Sequence, residues 1–418
     1  MIVTLVTLTL RTEAPWAVAA PEVARSIDRP LSKDGHGLPH VPGSSLAGSL
    51  RGHLADGLRE RLMGSDPPDP SAGPSDRGED QRLTPSRLRI LGSRVESPDP
   101  FLLQQTAVSR RTGAAASKTL RTSQAAPAGA VISVYLRVDG ELAPPERRAL
   151  ATWQPVIGGG HSHGQGRARV ESMRWGRLDL ATKAGLRAWL ELGGRRLFER
   201  VCETPEEVDP GSHEAWIAVP VRIVDGLLVG MPGSGKRKTP DVVPHRRGGR
   251  GDYVVEGSSI KGVLRSRAEF ILRSVGADAC DSGSRACGSC DACALFGSTA
   301  AAGMIGVRAA VIEDGRTARR PHVAIDRVTG GARPELLFSE EVLASGRFAI
   351  TVDRLAADTP AWAETLLWHV LRDIDDGMVG FGSRTTRGYG TVRLAEPRDR
   401  ARLAQLPALA AENGRLVA

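Results

Sequence analysis

The chain has 418 residues, 41% of them apolar and 4% aromatic, with a formal net charge of +8 and a pI of about 9.6. That length provides for two domains with a core each. No apolar run is long enough to span a membrane, and the scarcity of aromatics excludes a base-stacking platform. The basic excess is carried mostly by Arg, which suits an anionic polymer held by its backbone phosphates.

In chain order, residues 1–18 read as a strand and a turn. The alternation of Val6, Leu8 and Leu10 with Thr7 and Thr9, and the lack of a basic lead-in, favour a strand over a secretion signal. Residues 19–41 read as a loop, 44–63 as a helix and 65–86 as a stretch rich in Pro, Ser, Gly and Asp. Short apolar pieces at 88–91 and 101–103 precede a basic, small-residue loop at 108–130. A strand is expected at 131–138, a helix near 145–154, a glycine-rich turn at 158–167, and then a strand to about 180. A helix within 181–212 links the halves. The second half runs in the same order: strand 216–224, loop 225–256, helix 258–275, a cysteine cluster at 280–293, strand 348–352, helix 360–374 and a glycine-rich turn at 380–390.

One stretch occurs twice. Gly43-Ser44-Ser45-Leu46-Ala47-Gly48-Ser49-Leu50-Arg51 returns as Gly257-Ser258-Ser259-Ile260-Lys261-Gly262-Val263-Leu264-Arg265, an offset of 257 − 43 = 214. Each copy opens a helix, whose first turn presents free N–H groups and positive dipole. Small residues there let a phosphate come close. The plainer role for such a serine is an N-cap. Thr329 follows Thr112 by 217, and Gly388 follows Gly164 by 224. Repeated landmarks at these offsets indicate a duplicated domain. The order βα…ββαβ in each half suits an α+β ferredoxin-like (RRM-like) sandwich. The expected bounds are 1–180, a linker at 181–212, and 213–418.

Cys280, Cys287, Cys290 and Cys293 are spaced for a metal, as four thiolates within one short loop. Zinc and an iron–sulfur cluster both remain open on spacing alone. The role reads as structural, and Cys202 as a free buried thiol. Clustered cysteines also favour a reducing, cytoplasmic setting. In the glycine-rich turns, a flexible main chain sits beside His161 and His163, and beside Arg384 and Arg387. Backbone approach plus basic side chains suits phosphate contact. Asp28, Asp34, His36 and His40 precede the first Gly-Ser-Ser, and Asp241, His245 and Asp252 the second. They are turn residues or acid–base groups. The chain has no Walker A loop or HExxH helix.

Together these marks resemble the RAMP superfamily of CRISPR effector proteins, and within it the backbone subunits of type III complexes, as two such domains in tandem in a III-D-like arrangement. The marks are the helix starts at 42–51 and 256–265, the cysteine cluster running into Leu295-Phe296-Gly297, and Gly380 to Gly390. The resemblance implies binding of guide (crRNA) by Ser44, Ser45, Arg51, Ser258, Ser259, Lys261, Arg265, His161, His163, Arg384 and Arg387. It implies thumb-like hairpins, carrying Arg110 and Arg327, that kink the guide–target duplex. It further implies a zinc-binding insertion at 280–293 and an endoribonuclease that cleaves target RNA to a 2′,3′-cyclic phosphate and a 5′-OH, with Mg²⁺ or Mn²⁺ present. The catalytic positions map to Asp28 and Asp241, and the partners would be crRNA, target RNA and other effector subunits, with no membrane and no small-molecule cofactor. The sequence departs from the family at Glu256, where Pro is usual, and at His163-Gly164-Gln165-Gly166, where Arg-Gly-Tyr-Gly is usual. A purely architectural subunit and a guide-processing ribonuclease using His36 or His40 are the alternative readings.

Overall fold

The computed structural model describes residues 1–21, 27–65, 83–109, 112, 114–209, 211, 214–232, 240, 242–244, 246–247, 251–280 and 286–417. It divides into two compact units. The first holds Met1–Ala107, Ser117–His161 and Gln165–His213. The second holds Val108–Ala116, Ser162–Gly164 and Glu214–Ala418.

In the first unit, β1 (Ile2–Thr12) leads to α1 (Gly43–His53) and α2 (Asp56–Met63). Then come β2 (Leu88–Glu96), the hairpin of β3 (Phe101–Gln105) and β4 (Arg121–Ala125), β5 (Val131–Asp139), α3 (Pro144–Ala151) and β6 (Ala168–Asp179). The main sheet is antiparallel, in the order β2-β5-β1-β6. The alternation in β5 sends Ile132, Val134, Leu136 and Val138 to one face, where they meet Leu46 and Leu50 of α1 and Leu150 of α3. Burying one such side chain stabilises by about 1.5–3 kcal/mol.

The segment expected as a linker instead folds with this unit. It forms α4 (Lys183–Glu191), α5 (Gly194–Val201) and β7 (Thr204–Glu206), and β7 extends the sheet beside β6. The reason is apolar. Leu197, Phe198 and Cys202 bury against Val3, Leu5 and Leu178, and the Phe198 ring meets Tyr135 edge-on at 5.1 Å.

The second unit opens with β8 (Ile217–Ile223), β9 (Gly230–Pro232), β10 (Val242–Pro244), β11 (Arg246–Arg247) and β12 (Asp252–Val255). Next come α6 (Gly257–Ser274) and α7 (Asp291–Phe296). Strands β13 (Ile305–Val307), β14 (Ala310–Val311), β15 (Glu313–Ile325) and β16 (Ala332–Arg354) follow. Helix α8 (Ala361–Asp375), β17 (Val392–Leu394), α9 (Pro397–Leu403), β18 (Ala410–Glu412) and β19 (Arg415–Val417) complete it. Strands β13, β16, β8 and β17 lie side by side and antiparallel. Ile260, Leu264, Ala268 and Leu272 of α6, at four-residue spacing, cover that sheet together with α8.

Strand β16 is far longer than the sequence suggests. Its second half lies in the sheet, while its first half pairs with β15 as a two-stranded ribbon. The ribbon alternates partly buried and exposed residues without an apolar face, so periodicity gives no strand signal there.

The two units share a set of isolated bridges. Trp16 pairs with Ala126, and Leu227 with Leu343. Ala17 pairs in parallel with Gly158, and Leu228 with Gly382. Glycine is required in these turns. A Cβ on Gly166 (φ +81) would lie 2.4 Å from the Ile157 carbonyl, and one on Gly390 (φ +83) 2.0 Å from that of Phe381. Gly166→Ala and Gly390→Ala are each expected to lower the unfolding free energy by more than about 1 kcal/mol, measured by urea titration of the full chain.

Candidate metal centre and nucleic-acid interface

The four cysteines converge. All their Sγ atoms lie within 4.8 Å of one another. Cys280 is 3.5, 3.7 and 3.4 Å from Cys287, Cys290 and Cys293, and Cys287 is 4.0 Å from Cys293. A tetrahedron with zinc–sulfur bonds of about 2.3 Å has edges of about 3.8 Å. The donor set therefore fits one ion. Sulfurs this close leave no room for the several irons and bridging sulfides of a cluster. Backbone N–H groups point at the sulfurs: Cys287 donates to Cys280, and Ser289 and Cys290 donate to Cys287. The bond from Ser289 leads in pulling the Cys287 thiol down to about 5, while burial pushes Cys280 and Cys290 up.

Arg265 ties this loop to its helix. It donates to Glu269 Oε1 at 2.8 Å, to the Gly297 carbonyl at 2.6 Å and to Cys293 Sγ at 3.4 Å. Arg51 makes the matching contacts in the first unit, to the carbonyls of Met63 and Gly64 at 3.2 and 3.0 Å. Gly64 ends α2 and Gly297 ends α7, both at positive φ. Both arginines, expected on phosphate, thus point inward and satisfy carbonyls left open at a helix end. In the first unit only Leu54 and Ala55 separate α1 from α2. The cysteine loop occupies the corresponding place between α6 and α7. The C-terminal hairpin then closes over α7, as Asp291 accepts from Arg415 at 2.7 Å and from the Leu416 N–H at 2.8 Å.

The serines are not N-caps. Pro42 and Glu256 hold those positions, and Ser44, Ser45, Ser258 and Ser259 sit in the first turns. Among the described residues no side-chain hydrogen bond caps either helix. One turn further along α6, Lys261 is 8% exposed, and no described partner pairs with its ammonium. Burial, with the Arg265 charge nearby, pushes it down to about 8.

The remaining predicted residues divide. His161 Nε2 bonds the Gly158 carbonyl, and His163 ends the same short 3-10 turn. Arg327 is exposed at the tip of the β15–β16 ribbon, in a turn where Asp326 accepts from the Val328 and Thr329 N–H groups. Arg387 is exposed in the turn Thr385–Arg387. Arg384 instead reaches Glu340 Oε1, at 2.8 Å from Nε and 2.7 Å from Nη2. Asp28 Oδ2 accepts from the Thr122 N–H at 2.7 Å. Asp34 accepts from His36 and Leu38 N–H groups, and the Leu38 bond leads in lowering its pKa. It is a turn former. Arg110, Asp241 and His245 lie outside the described residues.

Sequence reading missed the group around Glu340, a carboxylate at 0% exposure. Besides Arg384 it faces His322, whose Nε2 is 3.4 Å from Oε2. Tyr389 OH lies 3.2 Å from the same Nε2. Arg320 stacks over the Tyr389 ring at 4.7 Å and donates to Asp225 at 2.7 Å. No sequence signal marks Glu340, because its partners lie 18 and 44 positions away (340 − 322 and 384 − 340) on other elements.

The sequence model of the RAMP superfamily matches residues 179–393. No curated protein matches the chain.

The chain is expected to carry one zinc ion per molecule by elemental analysis. Cys290→Ser should lose that ion and lower the melting temperature by several degrees, since the loop joins α6, α7 and the C-terminal hairpin.

Proposed function

The chain belongs to the RAMP superfamily, and from that premise we propose that it is a guide-RNA-binding backbone subunit of a type III CRISPR effector that also cleaves target RNA. RAMP membership supports a CRISPR-associated, RNA-binding role with other subunits as partners. Two ferredoxin-like domains in tandem account best for the architecture. Strand order β2-β5-β1-β6, with α1 and α3 as its helices, is the βαββαβ pattern. The set β13-β16-β8-β17 with α6 and α8 repeats it. Residues 108–116, which cluster with the second unit, would belong to the first domain's thumb.

One observation carries the reading. In each unit the loop bearing a candidate aspartate joins its thumb hairpin by a parallel bridge, Arg29 to Ser123 and Val242 to Glu340. Asp28 and Asp241 each precede the bridged residue in the chain. The glycine-rich turns bridge to the same region of each unit, at Ala17 and Leu228. Uncapped helix starts and exposed Arg327 and Arg387 are suited to phosphates. The cysteine site would be structural zinc. No described helix is long and apolar enough to cross a membrane.

The family also implies Mg²⁺ or Mn²⁺ during cleavage. Asp28 offers a single carboxylate, and among the described residues the cysteines are the one close group of three or more ligating side chains. The described residues therefore form no ready site for such an ion. A purely architectural subunit is the second reading, favoured by the hydrogen bond that gives Asp28 a structural use.

RNA copurifying with the native complex is expected to be repeat-derived, with a uniform 5′ end. Asp28→Asn keeps the acceptor for Thr122 but removes the charge. If Asp28 and Asp241 cut, their Asn variants should each abolish one target-cleavage position with guide binding intact. Unchanged cleavage in both leaves the architectural reading.

Lys261→Met should act in opposite directions on stability and binding. A lysine whose folded value lies near 8, below the usual 10.5, opposes folding while protonated. Wild-type stability therefore gains as pH rises from about 8 toward 10.5, and the variant should lack that gain. The variant should melt higher at pH 7 yet bind RNA more weakly, with a shallower salt dependence.

A further inference from the structure

The Glu340 group has the form of a proton-transfer site. His322 Nε2 faces both Glu340 Oε2 at 3.4 Å and Tyr389 OH at 3.2 Å. Glu340 Oε2 is buried and has no hydrogen-bond partner among the described residues, so a proton on Nε2 is the arrangement that offsets its charge. Nδ1 is then left with its lone pair, and no described residue bonds it. The imidazole stacks on Phe338 at 5.1 Å, and its side chain is 27% exposed. The ring is thus oriented at one nitrogen and open at the other, as a general base requires. Charged and titratable groups around it come from three elements: Glu340 on β16, Tyr389 and Arg384 on the glycine-rich turn, and Arg320 on β15, paired to Asp225.

The first unit holds the same scaffold without this chemistry. Matching Ser123 to Glu340 through their parallel bridges fixes the hairpin register at 340 − 123 = 217. Gln105, paired with Arg121, then stands where His322 pairs with Phe338. In the glycine-rich turns, Gln165 stands where Tyr389 does, at 389 − 165 = 224. An ionisable acid–base trio in one unit is a hydroxyl and two amides in the other.

We propose that His322, oriented by Glu340 and Tyr389, accepts the proton of the attacking 2′-hydroxyl of an RNA substrate in the second unit, and that the first unit has no such group. This rests on the cleavage reading above. The 2′-oxygen attacks phosphorus, and its proton passes to Nδ1. The P–O5′ bond breaks, the 5′-oxygen takes a proton from water, and the imidazolium returns its own to solvent. The products are a 2′,3′-cyclic phosphate and a 5′-OH.

The test uses the native guide-loaded complex and a target RNA labelled at one end, with cleavage positions and rates read across pH. His322→Gln copies the first unit's residue and should slow one of the positions by roughly 10²- to 10⁴-fold. The acid limb of the pH–rate profile at that position should vanish, while RNA affinity and the other position stay unchanged. Glu340→Gln should slow the same position by a smaller factor. In His322→Ala, added imidazole should restore part of the rate, which a merely structural histidine would not show. If Asp241→Asn abolishes a position whose rate and pH profile His322→Gln leaves unchanged, the assignment of His322 is overturned and the cleavage reading stands. If wild type cleaves no position, both fall.

Discussion

A carboxylate at zero exposure must be paired, and Glu340 meets that demand with side chains from two separate elements, Arg384 at Oε1 and His322 3.4 Å from an otherwise unbonded Oε2. An isolated buried charge is costly, and removing one partner of such a group costs more than the pair contributes. Arg384 Nε donates to Oε1 at 2.8 Å, and its Nη2 lies 2.7 Å from the same oxygen. That bond holds the glycine-rich turn to β16. The backbone of β16 at the same residue receives β10, so one position joins the β15–β16 ribbon, β10 and the turn. Arg384 sits at φ +64 to do so. A left-handed arginine is uncommon, and here the buried ion pair supplies its reason.

The two units have a common backbone logic and different polar contents. Each uses an inward arginine from the first helix to close the end of the next. Each docks a glycine turn so tightly that a carbonyl occupies the space of a Cβ. Backbone contacts of this kind tolerate no substitution at the glycines but leave side chains around them free to vary. Glutamines and serine line one version; histidine, tyrosine and glutamate line the other.

The cysteine loop illustrates insertion without disturbance. It enters where α1 and α2 are separated by two residues in the first unit, and Arg265 bridges the gap that it opens. The Arg265 guanidinium at Cys293 and backbone donors at Cys280 and Cys287 would compensate thiolate charge if the cysteines held an ion. The C-terminal hairpin covers the result through the buried Asp291, so the metal loop and the chain's end form one cooperative patch.

The sequence by itself determined much of the secondary framework and the cysteine cluster. Helices at four-residue apolar spacing, the alternation of β5 and the four cysteines are local patterns, and local patterns survive translation into structure. Two of the landmark offsets also reappear between bridged residues, 217 from Ala126 to Leu343 and 224 from Gly158 to Gly382. Tertiary structure alone decided the rest. It turned Arg51 and Arg265 toward carbonyls and made serines first-turn residues behind Pro42 and Glu256. The supposed linker became α4, α5 and β7 because Phe198 and Leu197 had an apolar sheet face to cover. Hydrogen bonds gave Asp28 and Asp34 turn-holding roles. The trio of His322, Glu340 and Tyr389 was invisible in one dimension, since a side-chain triad is defined by distances across strands and not by spacing along one.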